Sequence, residues 1–426
     1  MKIPGDSASA RLPVALWRVL FLLVLSVSIN YIDRGNLSIA APLLRDEFGL
    51  TPGRLGILLS SFFWSYAVFQ VFSGWLVDRF NVSLVMAAGF FLWSAATAAT
   101  GLIHTFTMLI ALRLILGLGE SVAYPCYSKI LAAYFAEQQR GLANSLIDAG
   151  SKVGPAFGTI TGGVLMAYFG WRSFFTVLGL FSLLWLPLWF AWMPRGAELT
   201  SANRESVPAI FDILRRRIAW ATFGGHFCGN YFWYFLLTWL PFYLVRERHF
   251  SMVQMASLGS SAYLITAGST VIAGWSSDRA IAAGASAGRV RKRCAGFGLA
   301  FASIIAGVGF SSGRTTSIAL LFLACAGYGV FSSSHWAITQ TVAGAAAAGK
   351  WSGLQNFFAN LAGVAAPAIT GFVVDRTGHF VLAFVAAAAV ALTGAGIYLA
   401  AMGKIKPVVW RDADEALPPR LIVEVR

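Results

Sequence analysis

The sequence predicts an all-α membrane protein in which 12 transmembrane helices form two six-helix bundles. Of the 426 residues, 58% are hydrophobic and 12% are charged, whereas soluble domains average about 25% charged residues. Apolar runs of about 20 residues, the length that a helix needs to cross the hydrocarbon core, recur along nearly the whole chain. A transmembrane barrel would instead show short strands of alternating polarity.

The apolar runs fall into two sets of six, separated by a polar stretch that contains Arg204, Arg215, Arg216 and Arg217. Basic residues between spans are typical of the cytoplasmic side. Four parts are therefore predicted: an N-terminal bundle at 1–193, a cytoplasmic linker at 194–217, a C-terminal bundle at 218–403 and a cytoplasmic tail at 404–426. Spans 1 to 6 are predicted near 15–41, 55–77, 82–103, 107–133, 141–168 and 173–193, and spans 7 to 12 near 218–245, 254–276, 293–311, 315–340, 351–374 and 379–402.

An internal repeat supports the division into two parallel halves. The sequence GWLVDR at 74–79, after span 2, returns as GWSSDR at 274–279, after span 8. Proteins built from two such repeats bind their ligands near the bilayer midplane, where the repeats meet. The residues predicted to form gating loops are Gly74, Asp78, Arg79, Gly274, Asp278 and Arg279.

The distribution of the 32 lysines and arginines predicts the topology. Most of them lie on the termini and on the loops that follow even-numbered spans, so the positive-inside rule places both termini in the cytoplasm. Because these residues form no single patch, the net charge of +14 does not indicate nucleic-acid binding. We expect a multi-pass monomer in the plasma membrane, the inner membrane of a bacterium, surrounded by lipid and with an uncleaved first span.

The four cysteines are scattered through apolar segments without CxxC spacing. This spacing argues against a metal site or a disulfide framework. Nor does the chain contain HExxH or GxSxG. We therefore expect no metal, no cofactor and no enzymatic activity.

Charged residues occur inside two predicted spans, Asp33 and Arg34 in span 1 and Arg113 and Glu120 in span 4. Each costs roughly 2.5 to 3.5 kcal/mol at mid-bilayer, so the four together cost on the order of 10 kcal/mol unless they pair. Chains that keep such groups usually need them to move a solute or a proton. The alternative is a set of structural ion pairs that tie span 1 to span 4, although apolar replacements are often neutral for stability.

The spacing of these residues indicates their chemistry. Asp33 and Arg34 belong to a polar stripe with Ser26 and Asn30 at intervals of three and four residues, and this stripe must face water or protein. The guanidinium groups could hold an anion while the carboxyl groups of Asp33 and Glu120 exchange protons. Burial favours the neutral form of a carboxyl group and a neighbouring arginine favours the charged form, so anion binding could switch the balance.

Other spans present neutral polar faces, which suit a polyhydroxylated ligand because hydroxyl and amide groups donate and accept without net charge. Each such residue could equally join two helices. Span 5 adds an Asp148 and Lys152 pair four residues apart, interpreted mainly as a local ion pair, with a direct role in the substrate path as the open alternative. Span 5 and span 11 also carry small residues at four-residue spacing, which predicts close helix packing at an interface that rocks: Gly150, Gly154, Gly158 and Gly162, and Gly363, Pro367 and Gly371.

With these residues, the chain resembles the major facilitator superfamily. The repeated GxxxDR resembles the signature of that superfamily, and NYIDRGNLS at 30–38 with RLILGLGE at 113–120 resembles its anion:cation symporter branch, which includes bacterial carriers for galactonate, glucarate and hexuronates. The resemblance implies that Asp33 and Glu120 couple transport to protons. It implies that substrate is bound by Arg34, Arg113, Tyr66, Tyr124, Tyr234, Ser333, His335, Trp336 and Asn356.

The expected function is a proton-coupled symporter that imports a small organic monoanion, a sugar acid such as a hexonate, hexuronate or aldarate, by alternating access. Two alternatives stay open. The GPAFG sequence at 154–158 resembles the span 5 motif of proton-coupled drug exporters in the same superfamily. A transporter-like anion receptor is the other, although the chain has little room for a soluble signalling domain.

Overall fold

The computed structural model describes residues 13–135, 137–193 and 209–410. Most of the predicted linker and tail lie outside these residues. The described part is helical and contains no β-strand. Its α-helices are α1 (Val14–Phe48), α2 (Pro52–Arg79), α3 (Val82–Thr100), α4 (Phe106–Glu120), α5 (Ala123–Tyr134), α6 (Glu137–Ser182), α7 (Trp185–Trp192), α8 (Ile210–Leu214), α9 (Arg217–Arg246), α10 (Met252–Ala282), α11 (Ala287–Ala302), α12 (Ile305–Phe310), α13 (Arg314–Ser332), α14 (His335–Thr377) and α15 (Val381–Gly396), which continues into a π-helical turn (Ile397–Ala401).

These helices account for the predicted spans. Within the described residues, 8 helices are long and apolar enough to cross a membrane, and one of them, Leu146–Trp192, holds spans 5 and 6 on either side of a turn at Gly170. Spans 2, 7 and 8 correspond to α2, α9 and α10, which are 28, 30 and 31 residues long but more polar. The fold class is therefore confirmed as an all-α bundle of transmembrane helices.

Several spans are broken where the sequence permits a change of direction. Span 4 comprises α4 and α5, span 9 comprises α11 and α12, and span 10 comprises α13 and the first part of α14. Gly170 and Gly344 separate neighbouring spans with φ values of 76° and 65°. Glycine adopts a positive φ without a Cβ penalty, so one helix can end and the next begin at each of these non-helical residues.

The two halves of the molecule pack through three pairs of spans: 1 with 7, 2 with 11, and 5 with 8. We call the end that contains residues 13, 209 and 410 the terminal end, and the opposite end, with the loops after α1 and α9, the far end. Arg246 of span 7 forms an ion pair with Asp46 of span 1 at the far end, and its Nη2 donates a hydrogen bond to the carbonyl of Pro42 at 2.9 Å.

Spans 2 and 11 touch at the far end and separate towards the terminal end. A Cβ atom built on Gly56 would lie 2.6 Å from the carbonyl oxygen of Pro367 and 3.0 Å from Cα of Gly371. At the other end of the same helices, a Cβ on Gly74 or Gly353 would meet no atom within 4 Å. The halves are therefore closed together at the far end and open at the terminal end.

The glycine stripes behave differently in the two halves. Gly154 of span 5 packs on Ser28 of span 1, within the N-terminal half, whereas Gly363 of span 11 packs on Phe63 of span 2, across the interface. Span 5 does cross the interface on another face, where Ser260 Oγ donates to the carbonyl of Ala156 at 2.9 Å. The predicted rocking interface therefore includes the small residues of span 11, but those of span 5 fasten one half internally.

The residues predicted to form gating loops are helical in the structure. Residues 74–79 form the last turns of α2, and residues 274–279 lie inside α10. No glycine or proline ends either helix there, and α2 stops only before Asn81, whose side chain accepts the hydrogen bond of Ser83 N at 2.9 Å and caps α3. Arg79, Asp278 and Arg279 are exposed, while the side chain of Asp78 lies outside the described part of the structure.

Candidate functional site

The centre of the N-terminal half contains a buried ion pair between spans 1 and 4. Arg34 Nε donates to Glu120 Oε2 at 2.8 Å, and the two side chains are 2% and 0% exposed. Each partner keeps a polar atom, Arg34 Nη2 and Glu120 Oε1, without a hydrogen-bond partner among the described residues. The pair is therefore held together by one hydrogen bond and retains capacity to bind another group.

Aromatic rings surround the Arg34 guanidinium. Its Cζ lies 4.5 Å from the ring centre of Tyr66, 4.7 Å from that of Tyr31 and 5.2 Å from that of Phe62. Such rings attract a cation through their negative faces and hold it in place without neutralising its charge. Arg34 thus faces neither lipid nor the outer surface of the bundle.

Asp33 and Arg113 lie beside this pair. Asp33 is within electrostatic range of Glu120 and Arg113, and Thr97 of span 3 also lies beside it. Arg113 packs its guanidinium over Phe62 at 5.1 Å and is 5% exposed. All four charged side chains of spans 1 and 4 therefore meet in one buried group, as their spacing predicts.

This group is poor in hydrogen bonds. Both carboxylate oxygens of Asp33, both amide atoms of Asn30 and Nε of Arg113 have no partner among the described residues. Most buried polar groups in proteins have one, because an unmade hydrogen bond costs about 1 to 3 kcal/mol. A purely structural ion-pair network would be expected to use these atoms, so their arrangement favours a site that binds protons or a polar ligand.

The C-terminal half faces this group with neutral side chains. Tyr234 of span 7 donates its hydroxyl to Asn360 Oδ1 at 2.6 Å, and Asn360 Nδ2 donates to the carbonyl of Asn356 at 2.8 Å. The ring of Tyr234 lies 4.5 Å from that of Phe63, a span 2 residue next to the aromatic group around Arg34. Tyr234 therefore connects the neutral half to the charged half.

A second neutral cluster lies further towards the terminal end. The rings of His226 and His335 are 4.5 Å apart, and Trp336 packs on His226 at 5.0 Å. Gln355 lies 3.2 Å from His226 Nδ1 and accepts a hydrogen bond from Thr339 at 2.7 Å. These side chains pair with one another and carry no net charge. Their ring faces and remaining hydrogen-bonding groups can contact a ligand.

The remaining predicted site residues lie near these two groups. Tyr66 accepts a hydrogen bond from Gln70 at 3.2 Å, and Tyr124 donates to the hydroxyl of Tyr31 at 3.4 Å. Ser333 lies in the break between α13 and α14, where its hydroxyl bonds the carbonyl of Val330 at 2.8 Å. The predicted residues thus approach the space between the halves from both sides.

Sequence reasoning overlooked two residues of this region as site residues, Tyr31 and Phe62. Tyr31 lies three residues before Arg34, and Phe62 four residues before Tyr66. Helical neighbours at these intervals share a face, so this signal was available in the sequence. The contact of Asn360 with Tyr234 joins two spans 126 residues apart, and no local pattern reveals it.

The chemistry offered by these groups is binding rather than metal-assisted. Among residues 13–135, 137–193 and 209–410, no group of three or more histidine, cysteine or acidic side chains is placed to hold a metal ion. The cysteines Cys126, Cys228, Cys294 and Cys325 are all free thiols. The fold and the buried charges define a multi-pass membrane transporter.

The chain belongs to the Major Facilitator Superfamily, because the family model matches residues 23–367. It is similar to the probable galactarate/D-glucarate transporter of Bacillus subtilis (strain 168), with 29% identity over 94% of this chain and 96% of the relative. It is equally similar to the hexuronate transporter of the same organism, with 29% identity over 95% of this chain and 96% of that one. The resemblance to sugar-acid carriers is therefore confirmed, and the protein is a multi-pass transporter of the plasma membrane.

A solved structure shares the fold. The bacterial homologue of the human lysosomal transporter Spinster, in an inward-facing and unoccupied conformation, superposes with a TM-score of 0.77 over 92% of this chain and 97% of that chain. The sequences are 18% identical. At this identity the comparison supports the helical architecture alone.

Proposed function

We propose that this protein is a proton-coupled symporter that imports a small organic anion, a sugar acid such as a hexonate, hexuronate or aldarate. The observation that carries the proposal is the buried Arg34 and Glu120 pair, joined by one hydrogen bond of 2.8 Å. Its unpartnered Nη2 and Oε1 atoms give the pair one free donor and one free acceptor. Arg34 is the carboxylate-binding group, and Glu120 and Asp33 are the proton-binding groups.

Competition for Arg34 links the proton to the anion. A substrate carboxylate and the Glu120 carboxylate both bind a guanidinium through charge-assisted hydrogen bonds. Protonation of Glu120 removes its charge and weakens its hold on Arg34, which releases the guanidinium for the substrate. Because the empty site keeps Glu120 ionised and the loaded site keeps it neutral, one proton accompanies each carboxylate.

The neutral side chains of the C-terminal half bind the body of the substrate. Tyr234, Asn356, Ser333, His335 and Trp336 supply hydroxyl, amide, imidazole and indole groups, which match the hydroxyl groups of a sugar acid. Tyr66 and Tyr124 face them from the charged half. Arg113 stabilises the ionised carboxyl groups of Asp33 and Glu120 when the site is empty.

Alternating access follows from the contacts between the halves. The bundles 1–193 and 218–403 are the moving bodies, joined by the linker 194–217, and the tail 404–426 and both termini lie in the cytoplasm. The far end is closed by the packing of Gly56 on Pro367 and by the Arg246 and Asp46 pair. The opening at the terminal end then faces the cytoplasm, and GxxxDR residues at that end restrain it when it closes: Gly74, Asp78, Arg79, Gly274, Asp278 and Arg279.

Uptake into proteoliposomes tests this function. The purified protein should accumulate a radiolabelled sugar acid against its gradient when the outside is made acidic, and a protonophore should abolish the accumulation. A panel of hexonates, hexuronates and aldarates identifies the substrate. Flux that requires sodium, or net export of the sugar acid against its gradient, would contradict proton-coupled import. Binding without flux would indicate an anion receptor.

A further inference from the structure

We propose that Lys152 of span 5 binds a second anionic group of the substrate, so that the preferred ligand is a sugar acid with two anionic ends. The inference rests on the proposed function and narrows one part of it, the substrate, to the sugar acids that carry two anionic groups. Its evidence lies in the position of the Asp148 and Lys152 pair relative to Arg34 and to the opposite half.

Lys152 lies on the face of span 5 that meets the C-terminal half. Residues 156, 159 and 163 follow it at helical intervals, and Ala156 and Gly163 both contact span 8 across the interface. Lys152 stands one turn closer to the terminal end than the last of these contacts. Across the interface it lies within electrostatic range of His335 in span 10.

The Lys152 ammonium is held in a way that allows exchange. Its Nζ bonds both oxygens of Asp148 at 2.8 Å. The Lys152 side chain is only 16% exposed, whereas that of Asp148 is 56% exposed. An exposed carboxylate loses little when it gives up its partner to water, so an incoming anion can replace Asp148 at the ammonium.

The distance to Arg34 suits the two ends of one small molecule. Gly154 packs on Ser28, which aligns span 5 with span 1. Counting from this contact, the Lys152 and Arg34 backbones lie roughly 12 Å apart along the parallel helix axes, at 1.5 Å per residue. The Lys152 ammonium is held at Asp148, one turn nearer the terminal end, so the Arg34 side chain and the ligand must together span this distance. Tyr31 stacks on Arg34 and lies within electrostatic range of Asp148.

The charges around the site support a binding role for Lys152. The four charged groups of spans 1 and 4 cancel when all are ionised, and the facing residues of the C-terminal half are neutral. Lys152 adds a positive charge on the face of span 5 that contacts this half through Ala156 and Gly163. A second carboxylate at this position would pair with the Lys152 ammonium. The hydroxymethyl end of a hexonate is neutral and would form no ion pair there.

The test compares two ligands that differ only at this end. Galactarate carries a second carboxylate where galactonate carries a hydroxymethyl group, and their dissociation constants are measured by titration calorimetry on the protein in nanodiscs. We expect the wild type to bind galactarate at least tenfold more tightly. The Lys152→Gln variant should reduce this ratio to within about twofold, and Lys152→Arg should retain most of it.

The Asp148→Asn variant provides a change in the opposite direction. It removes the group that competes for Lys152, so the preference for galactarate should increase severalfold. This opposite sign separates ligand binding from a structural role, for which both variants would act alike by breaking the same ion pair.

Other results would overturn the inference. They are equal affinity of the wild type for the two ligands, an unchanged ratio in Lys152→Gln, and a fall in the ratio in Asp148→Asn. The Arg34→Ala variant separates this failure from that of the proposed function, because it should lose both ligands. If Lys152→Gln has no effect and Arg34→Ala still loses both ligands, the symport proposal stands without the second anion site. If the wild-type protein binds neither ligand, the inference fails. The uptake panel then decides the proposed function independently.

Discussion

The two halves repeat one architecture but carry different chemistry on the sides that face each other. In the N-terminal half, charged and polar atoms of Asp33, Arg34, Arg113 and Glu120 lie buried with hydrogen bonds unmade. In the C-terminal half, Tyr234 and Asn360, and His226 and Gln355, pair with one another and carry no net charge. Under the proposed function, this difference means that charge recognition and proton coupling are built only once, while the duplicate half specialises in the neutral body of the substrate.

The largest expected effect comes from removing the cation of the charged half. Arg34→Ala should reduce uptake by more than about 100-fold, because a substrate carboxylate loses its charge-assisted partner. It should also destabilise the protein by about 3 to 5 kcal/mol, since Glu120 is left buried and unpaired. Initial uptake rates in proteoliposomes and chemical unfolding measure the two effects.

A double variant separates stability from binding. Arg34→Ala with Glu120→Gln removes both charges, so much of the lost stability should return while uptake stays absent. Uptake at the wild-type rate in the single variant would show that the charged half does not hold the anion.

Glu120→Gln should uncouple the proton without abolishing binding. The amide cannot release a proton, so accumulation driven by a pH gradient should disappear, while exchange of labelled for unlabelled substrate across the membrane should continue. The comparison variant combines Glu120→Gln with Gln355→Glu. It places a carboxyl group in the neutral half and should not restore accumulation. Undiminished uphill uptake in Glu120→Gln would assign proton coupling to another group.

Much of the charged half could be predicted from the sequence, and much less of the neutral half. Ionisable residues inside apolar spans are rare and costly, so Arg34 and Glu120 are conspicuous at any position. Neutral residues such as Asn360 are as common in helix contacts as in binding sites, and only the fold shows that Asn360 meets Tyr234. The glycine stripe of span 5 likewise indicated close packing, but the sequence did not specify the partner, which is span 1.

Gly56→Ala leaves the chemistry of both halves intact and changes only their contact. The added Cβ would lie 2.6 Å from a backbone oxygen of span 11, and backbone cannot move aside as a side chain can. We expect a loss of stability of about 1 to 3 kcal/mol, as for other overpacked sites, and slower uptake, because closure of the far end is disfavoured. Gly353→Ala is the matched control, since a Cβ there meets nothing within 4 Å; equal effects of the two variants would contradict a tight interface at the far end.

The smallest expected effect lies in the neutral half. Tyr234→Phe removes one hydroxyl but keeps the ring against Phe63, so it should weaken substrate binding by up to about tenfold, in line with roughly 0.5 to 1.5 kcal/mol for one neutral hydrogen bond. The ratio of accumulation at two imposed pH gradients should not change, because the hydroxyl takes no part in holding the proton. Competition by unlabelled sugar acids measures the affinity. A change in pH dependence as large as that of Glu120→Gln would mean that Tyr234 belongs to the proton-coupling group, and that the two halves share the chemistry that the structure separates.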